Sequence, residues 1–153
     1  MGTQLVVELA TQRPQLATHV IVVGPVVDDE HRSVVAQAIA LGIDSLGEPL
    51  SANLLVFSDY LRCGQSWFLS QMQQMLAYRI EDRVGAFRAP LLILRGDRDR
   101  IVGMGWCRRL RRDARAVTLV NVPGHGHLVQ RTAPRAVASA IYAFIRTNTS
   151  PAT

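Results

Sequence analysis

Cysteine is scarce in this sequence, and aromatic residues make up only 6% of it. The two cysteines, Cys63 and Cys107, stand far apart and form no C-x-x-C pair, so we expect neither a metal centre nor a redox motif. Both should pack as small apolar side chains in a reducing compartment. The arginine-rich segment 108–115 has no recognised nucleic-acid motif or aromatic platform beside it. We therefore expect a solvated helix face there, and no nucleic-acid partner.

Signals for export and for membrane insertion are also missing. The N-terminus has no basic segment ahead of an apolar stretch, as a secretory signal would have. The longest apolar stretch, residues 20–27, is interrupted by Gly24 and Pro25 and is too short to cross a bilayer. Met1-Gly2 would suit myristoylation, but Val6 stands where that motif needs Ser or Thr. We expect a cytoplasmic, soluble protein with no membrane partner.

Hydrophobic residues form 48% of the 153 residues, enough for the core of one domain. Residues 19–24, 91–94 and 117–122 are runs of branched apolar residues with little alternation. Such runs are typical of strands that are covered on both faces in a parallel sheet. Segments with helical periodicity separate them. The sequence therefore predicts an α/β fold with a three-stranded parallel sheet and flanking helices.

Three segments outside the strands show the apolar spacing of helices that pack on a core. One ends at Pro14, one spans residues 103–113, and one begins at Pro134, a residue that suits a first helical turn. The side chains predicted to face the core are, in chain order, Val6, Leu9, Ala10, Trp106, Leu110, Val137, Ile141 and Phe144.

Residues 25–88 separate the first two strands by more than 60 residues, far more than a usual connection. This segment must have structure of its own, and residues 31–43 are helical by pattern. A second apolar face is formed by Phe68, Met72, Met75 and Leu76. We expect a helical cap over one end of the sheet. Its side chains Trp67, Phe68 and Met72 would line a substrate pocket or, equally well, form the core of the cap.

Two acids follow the second strand, in the turn Gly96-Asp97-Arg98-Asp99. Ligands bind at the carboxyl ends of parallel strands, and a carboxylate there can accept the imidazole N–H that fixes the tautomer of a histidine. Aspartates after strands also serve simply as turn or cap residues. From position alone, Asp97 and Asp99 are both candidates.

Two histidines follow the third strand, in the segment VPGHGHLV. His127 should project from its loop over the same end of the sheet as the acids. His125, two residues earlier, would point elsewhere from that loop, and it is the alternative base. A strand that delivers an acid and a later strand that delivers a histidine form the acid and base of a Ser-Asp-His triad.

No nucleophile accompanies these residues. The only G-x-S is Gly64-Gln65-Ser66, and bulky Trp67 and Phe68 follow it. A nucleophile elbow needs small neighbours at a strand-to-helix turn, so Ser66 is better interpreted as a helix N-cap. Neither cysteine lies in such a turn.

Three segments, residues 1–25, 89–102 and 120–145, resemble the C-terminal half of α/β-hydrolase fold enzymes in order and spacing. The resemblance implies that the strands are the sixth to eighth of that fold. It implies that Asp99, at the G-x-x-D spacing, is the triad acid and that His127 is the general base. Met1 would follow the nucleophile and give its backbone N–H to the oxyanion hole. The family's earlier strands and its serine have no counterpart, and Gly103 stands where a proline is frequent.

The resemblance also implies an activity and a domain organisation. Residues 1–24 and 89–147 would form the hydrolase core, residues 25–88 the cap, and residues 148–153 a tail. The expected substrate is a small ester or related carbonyl compound, cleaved by acyl transfer without a cofactor or metal. Residues 19–24 would form a strand edge without its family neighbour, open to self-association. The alternative is an inactive, truncated remnant that acts as a binding or assembly module.

Overall fold

The structure is a computed structural model that describes residues 2–45, 47 and 50–149. Three strands, β1 (Val20–Val23), β2 (Leu91–Gly96) and β3 (Val117–Val122), form one parallel sheet in the order β1-β2-β3. The predicted three-stranded parallel sheet is thus confirmed. Met1, the predicted oxyanion donor, lies outside the described residues.

Helices flank the sheet and fill the long connection between β1 and β2, as expected of an α/β fold. They are α1 (Gly2–Gln12), α2 (Val34–Ser45), α3 (Leu50–Cys63), α4 (Gln65–Ala77), α5 (Met104–Asp113), α6 (Val129–Thr132) and α7 (Pro134–Asn148). Short 3₁₀ turns occur at Pro14–Leu16, Asp29–His31 and Ile80–Asp82. No helix in the described part of the chain is long and apolar enough to cross a membrane.

The central strand β2 is buried at every position. Its side chains alternate between two core clusters on opposite faces of the sheet. Leu91 and Ile93 pack with residues of α1 and α5, whereas Leu92 and Leu94 pack with residues of α7. The other two strands are less covered than expected, because each lies at an edge of this sheet. In β1 buried and half-buried positions alternate, and β3 has exposed positions.

Helix α1 turns a different face to the core from the predicted one. Its buried residues are Gln4, Val7 and Ala10, while Val6 is 40% and Leu9 48% exposed. Apolar residues occur on more than one side of α1, so periodicity alone could not choose the face. The amide Nε2 of Gln4 donates to the carbonyl oxygen of Met75, 3.2 Å away. This bond helps to fix the rotation of the helix.

The predicted faces of α5 and α7 agree with the structure. Trp106 and Leu110 of α5 are buried, as are Val137 and Phe144 of α7. Cys107 packs in the core as predicted, but Cys63 is exposed at the end of α3. The N-cap of α4 is Gly64, so the interpretation of Ser66 as the N-cap is wrong.

The arginines of α5 are exposed to solvent, as predicted, except Arg109. The Arg109 side chain donates to Asp28 and Asp29, both at 2.6 Å, and lies 3.2 Å from Glu30. These ion pairs connect α5 to the start of the inserted segment. At the far end of that segment Ile80, Val84 and Phe87 are buried in the core cluster beside α1 and α5.

Candidate active site

The side chain of Asp99 lies in the turn that follows β2, and its carboxylate is fully buried. The turn wraps around this carboxylate. Oδ1 of Asp99 accepts hydrogen bonds from the backbone N–H of Ile101 at 2.9 Å and of Val102 at 2.8 Å. One carboxylate oxygen therefore holds the turn together, and the other can accept a hydrogen bond from elsewhere.

His127 supplies that second hydrogen bond. Its Nδ1 lies 2.9 Å from Oδ2 of Asp99. Because an ionised carboxylate only accepts hydrogen bonds, we assign the ring proton to Nδ1, and Nε2 becomes the basic nitrogen. The imidazole is 22% exposed while its carboxylate partner is 0% exposed. This is the geometry of a buried acid that orients a partly accessible general base.

The alternative acid and base have other contacts. Oδ1 of Asp97 accepts from the backbone N–H of Gly124 at 2.6 Å, and Nδ1 of His125 lies 2.9 Å from Oγ1 of Thr132. Both side chains brace the loop that carries His127. The structure brings Asp99 and His127 together and places Asp97 and His125 beside them.

Two glycines let the histidine loop approach the strand ends. A Cβ on Gly96 would overlap the carbonyl oxygens of His125 and Gly126, so only glycine fits where β2 passes under that loop. Gly24 has φ +55°, a conformation that favours glycine, and a Cβ there would lie 2.8 Å from Cε1 of His127. The imidazole therefore sits directly over the end of β1.

Arg95 contributes to the site although our sequence analysis did not select it as a site residue. It is 4% exposed, and its guanidinium donates to the backbone carbonyls of Asp99 at 3.0 Å and Val102 at 2.9 Å. A signal was present in the sequence, because a cation inside the apolar strand LLILRG must find buried acceptors. Which acceptors it finds depends on the fold.

A cavity of about 560 Å³ lies against the Asp99 turn. Residues 97–100, Gly124 and Gly126 line it from the sheet, and Ile43 and Gly47 line it from the inserted segment. Trp67 of α4 is 49% exposed and Met72 is half-buried. Neither is among the described residues that line this cavity, and the Phe68 side chain is not described. Their place in a substrate pocket stays a prediction.

Comparison with known proteins agrees with this fold. The sequence profile of the family described as "TAP-like protein" matches residues 56–153, a segment that includes Asp99 and His127. No curated protein sequence is significantly similar to the chain.

Several solved structures superpose on nearly the whole chain. The putative non-heme bromoperoxidase BpoC from Mycobacterium tuberculosis H37Rv has a TM-score of 0.72 at 18% identity, over 97% of this chain and 65% of that one. E-2-(acetamidomethylene)succinate hydrolase has a TM-score of 0.69 at 19% identity, over 95% and 63%. The 2-hydroxy-6-oxo-6-phenylhexa-2,4-dienoate hydrolase from Rhodococcus sp. strain RHA1 has 0.66 at 17%, over 95% and 61%.

At these identities the structural similarity shows the fold alone. The chain spans less than two thirds of the length of each of these three proteins. The family profile, in contrast, matches well over half of the chain directly by sequence. The chain therefore belongs to the TAP-like proteins of the α/β-hydrolase fold family.

Proposed function

We propose that this chain carries the acid and the base of a serine hydrolase that cleaves an ester or related carbonyl substrate. The observation that carries this function is the 2.9 Å contact between Oδ2 of Asp99 and Nδ1 of His127. It lies where two paired parallel strands end, which is where ligands bind in α/β sheets. Membership of a hydrolase-fold family supports the same chemistry.

In this mechanism Nε2 of His127 takes the proton of a serine hydroxyl while the serine oxygen bonds to the substrate carbonyl carbon. His127 then gives that proton to the leaving alcohol, and the acyl group remains on the serine. A water molecule next attacks the acyl carbon while His127 takes one of its protons. His127 returns this proton to the serine oxygen as the acyl–serine bond breaks and the carboxylic acid leaves. Asp99 remains ionised and stabilises the imidazolium in both steps.

The serine of this mechanism comes from polypeptide outside the 153 residues. Cys107 is a poor alternative, because burial raises the pKa of its thiol to about 12 and a protonated thiol is a weak nucleophile. Ser66 lies in the first turn of α4, which follows helix α3 and not a strand. His127 covers Gly24 at the end of β1. A strand that pairs with the open side of β1 could therefore bring a serine to Nε2, with Met1 following it as oxyanion donor.

A second function is favoured by the exposed side of β1. Among the described residues, β1 pairs with β2 only, and the adjacent α1 leaves Leu5 74% and Leu9 48% exposed. Unpaired strand edges and exposed apolar side chains bind partners. On this alternative, the chain is an inactive binding or assembly module.

The DNA upstream of Met1 and the protein it encodes distinguish the two functions. An in-frame G-x-S immediately upstream supports the hydrolase, whereas a stop codon there supports the module. The extended protein should be labelled covalently on that serine by a fluorophosphonate, as intact mass would show. Labelling should be lost in His127→Ala and kept in His125→Ala, its matched control. An extended protein that carries the serine but resists labelling would contradict the hydrolase.

A further inference from the structure

Arg95 is a buried cation whose hydrogen bonds all go to neutral groups. Within the described part of the chain, no carboxylate forms an ion pair with it. Burial of a charge is costly unless its donors are satisfied. A strand in an apolar core could carry leucine or isoleucine here at no such cost. We therefore looked for the role of Arg95 in the groups that its guanidinium contacts.

Its guanidinium holds the turn that carries Asp99. Nε donates to the carbonyl of Val102 at 2.9 Å, and Nη2 donates to the carbonyls of Asp99 at 3.0 Å and Asp97 at 3.4 Å. Nη1 donates to Oδ1 of Asn121, which is the cross-strand partner of Arg95 on β3, at 3.1 Å. One planar group thus gathers carbonyls from the beginning, middle and end of the turn.

The carboxylate of Asp99 holds the same turn from inside. Its Oδ1 accepts from the amides of Ile101 and Val102, while Oδ2 meets His127. The position of Oδ2 therefore depends on the backbone that Arg95 fixes. If the guanidinium were lost, three carbonyls would lose their donor. The turn would then relax, and a displacement on the order of 1 Å is enough to misplace a catalytic group.

We propose that Arg95 is a positioning residue that fixes the Asp99 turn and thereby sets the tautomer of His127. This role rests on the proposed function, in which His127 is the base that Asp99 orients. Arg95 itself touches neither the substrate nor the reacting atoms. Lysine could not replace it, because a single ammonium lacks the planar fork that reaches carbonyls on both sides.

The test follows the ¹⁵N resonances of the His127 imidazole in the full chain, at a pH where the ring is neutral. Wild type should carry its proton on Nδ1. Arg95→Met, which keeps length but has no donor, should give a mixture of the Nδ1–H and Nε2–H tautomers, part of the way towards the Nε2–H form expected of Asp99→Asn. In Arg95→Lys the fraction of the Nε2–H tautomer should lie between that of wild type and that of Arg95→Met. If the methionine variant does not fold, the lysine variant decides the outcome.

The matched control is Ile93→Ala, which lies two residues before Arg95 on the same face of β2 and packs in the core cluster with residues of α1 and α5. It should lose stability through the cavity it leaves and keep the Nδ1–H tautomer. A folded Arg95→Lys chain with wild-type imidazole resonances would overturn the role of Arg95. So would an Ile93→Ala chain with the same tautomer mixture as Arg95→Met, because the effect would then be general destabilisation.

This readout needs no turnover, so it stands even if the extended protein proves inactive. In an extended protein that is active, Arg95→Lys should lower kcat, because a misplaced His127 transfers the serine proton less well. An active extended protein with a wild-type tautomer in Arg95→Lys would keep the proposed function and reject the role of Arg95.

Discussion

The two oxygens of the Asp99 carboxylate have different tasks, and an amide can perform only one of them. Oδ1 closes the turn onto two backbone amides, and Oδ2 accepts from His127. In Asp99→Asn the side-chain oxygen can keep the turn, but the NH₂ group then faces the N–H of the imidazole. The variant must flip the tautomer of His127 or leave a buried donor unpaired.

We predict that Asp99→Asn lowers the free energy of unfolding by about 1 to 3 kcal/mol and moves the His127 proton to Nε2. Urea denaturation and ¹⁵N spectra of the imidazole measure the two effects. Asp97→Asn is the control, because its side chain is exposed and its Oδ1 can still accept from Gly124. If Asp97→Asn changed the His127 tautomer more than Asp99→Asn did, Asp99 would not be the residue that orients His127.

The two thiols should differ sharply in reactivity. Cys63 is exposed and Cys107 is buried, and burial raises the pKa of Cys107 from 9.0 to about 12. An aromatic disulfide reagent at pH 8 should label one thiol in the folded chain and two in urea, and Cys63→Ser should abolish the native labelling. Rapid reaction of both thiols in the folded chain would contradict the core packing. Because the pKa of Cys107 is higher in the folded chain than in the unfolded chain, the free energy of unfolding should also fall as the pH rises above about 9.

The contact between Asp99 and His127 was predictable in part from the sequence, whereas the residues that support it were not. An acid pair and a histidine pair each follow an apolar strand, and parallel strand ends converge, so local pattern predicts that an acid and a histidine meet. It left Asp97 and His125 as alternatives, and the resemblance to the α/β-hydrolase family selected the pair that the structure brings together. The hydrogen bonds of Arg95 depend on the strand register that sets Asn121 beside it and on the path of the turn that follows β2. Neither the register nor the path of the turn can be predicted from one segment of the sequence alone.

At the scale of elements, the site requires the histidine loop to pass close to the backbone at the end of β2. Gly96 passes under the carbonyl oxygens of His125 and Gly126. The backbone N–H of Arg98 also donates to the His125 carbonyl at 3.0 Å. The acid turn and the histidine loop are thus held together by main-chain contacts as well as by the Asp99–His127 pair.

We predict that Gly96→Ala separates the two loops and lowers the free energy of unfolding by about 1 to 3 kcal/mol, with weakening of the Asp99–His127 hydrogen bond. Denaturation and imidazole spectra measure both changes. Gly105→Ala is the matched control, since a Cβ there meets only the Arg109 side chain at an ordinary 3.5 Å. It should be neutral or stabilising by up to about 1 kcal/mol, as alanine favours a helix. A Gly96→Ala chain as stable as wild type would refute the close approach.

Element positions were predicted better than element faces. The strands were found because runs of branched apolar residues are distinctive, and α5 and α7 were oriented correctly because each has one clear apolar stripe. Helix α1 has apolar residues around much of its circumference, and only its packing beside β1 selects Val7 over Val6. Arg109 was misassigned to a solvated face because its acids lie some 80 positions away in the chain.

At the scale of the whole molecule, the feature that bears on assembly is the edge of β1, which pairs with no second strand among the described residues. The backbone N–H groups of Val20 and Gly24 donate to the carbonyls of Pro90 and Leu94 at 2.9 and 2.8 Å. In a parallel pair, alternate residues of a strand face one neighbour. Ile21 and Val23 therefore direct their N–H groups away from β2.

We predict that in a dilute monomer the amides of Ile21 and Val23 exchange with solvent much faster than those of Val20 and Gly24. If the chain associates through residues 19–24, raising its concentration should protect Ile21 and Val23 selectively. Hydrogen exchange by NMR, with light scattering to give the oligomeric state, measures both. Strong protection of Ile21 and Val23 in a monomer would show that this edge is already covered.

The most direct test of the hydrolase function is turnover of an activated ester by the 153-residue chain and by its upstream extension. The chain alone should show no turnover above background, because it supplies the acid and base without the serine. The extension should be active and should lose about 10⁴-fold in kcat on Asp99→Asn, with a comparable loss on His127→Ala. Turnover by the 153-residue chain that survives His127→Ala but not Ser66→Ala or Cys63→Ala would contradict the assignment.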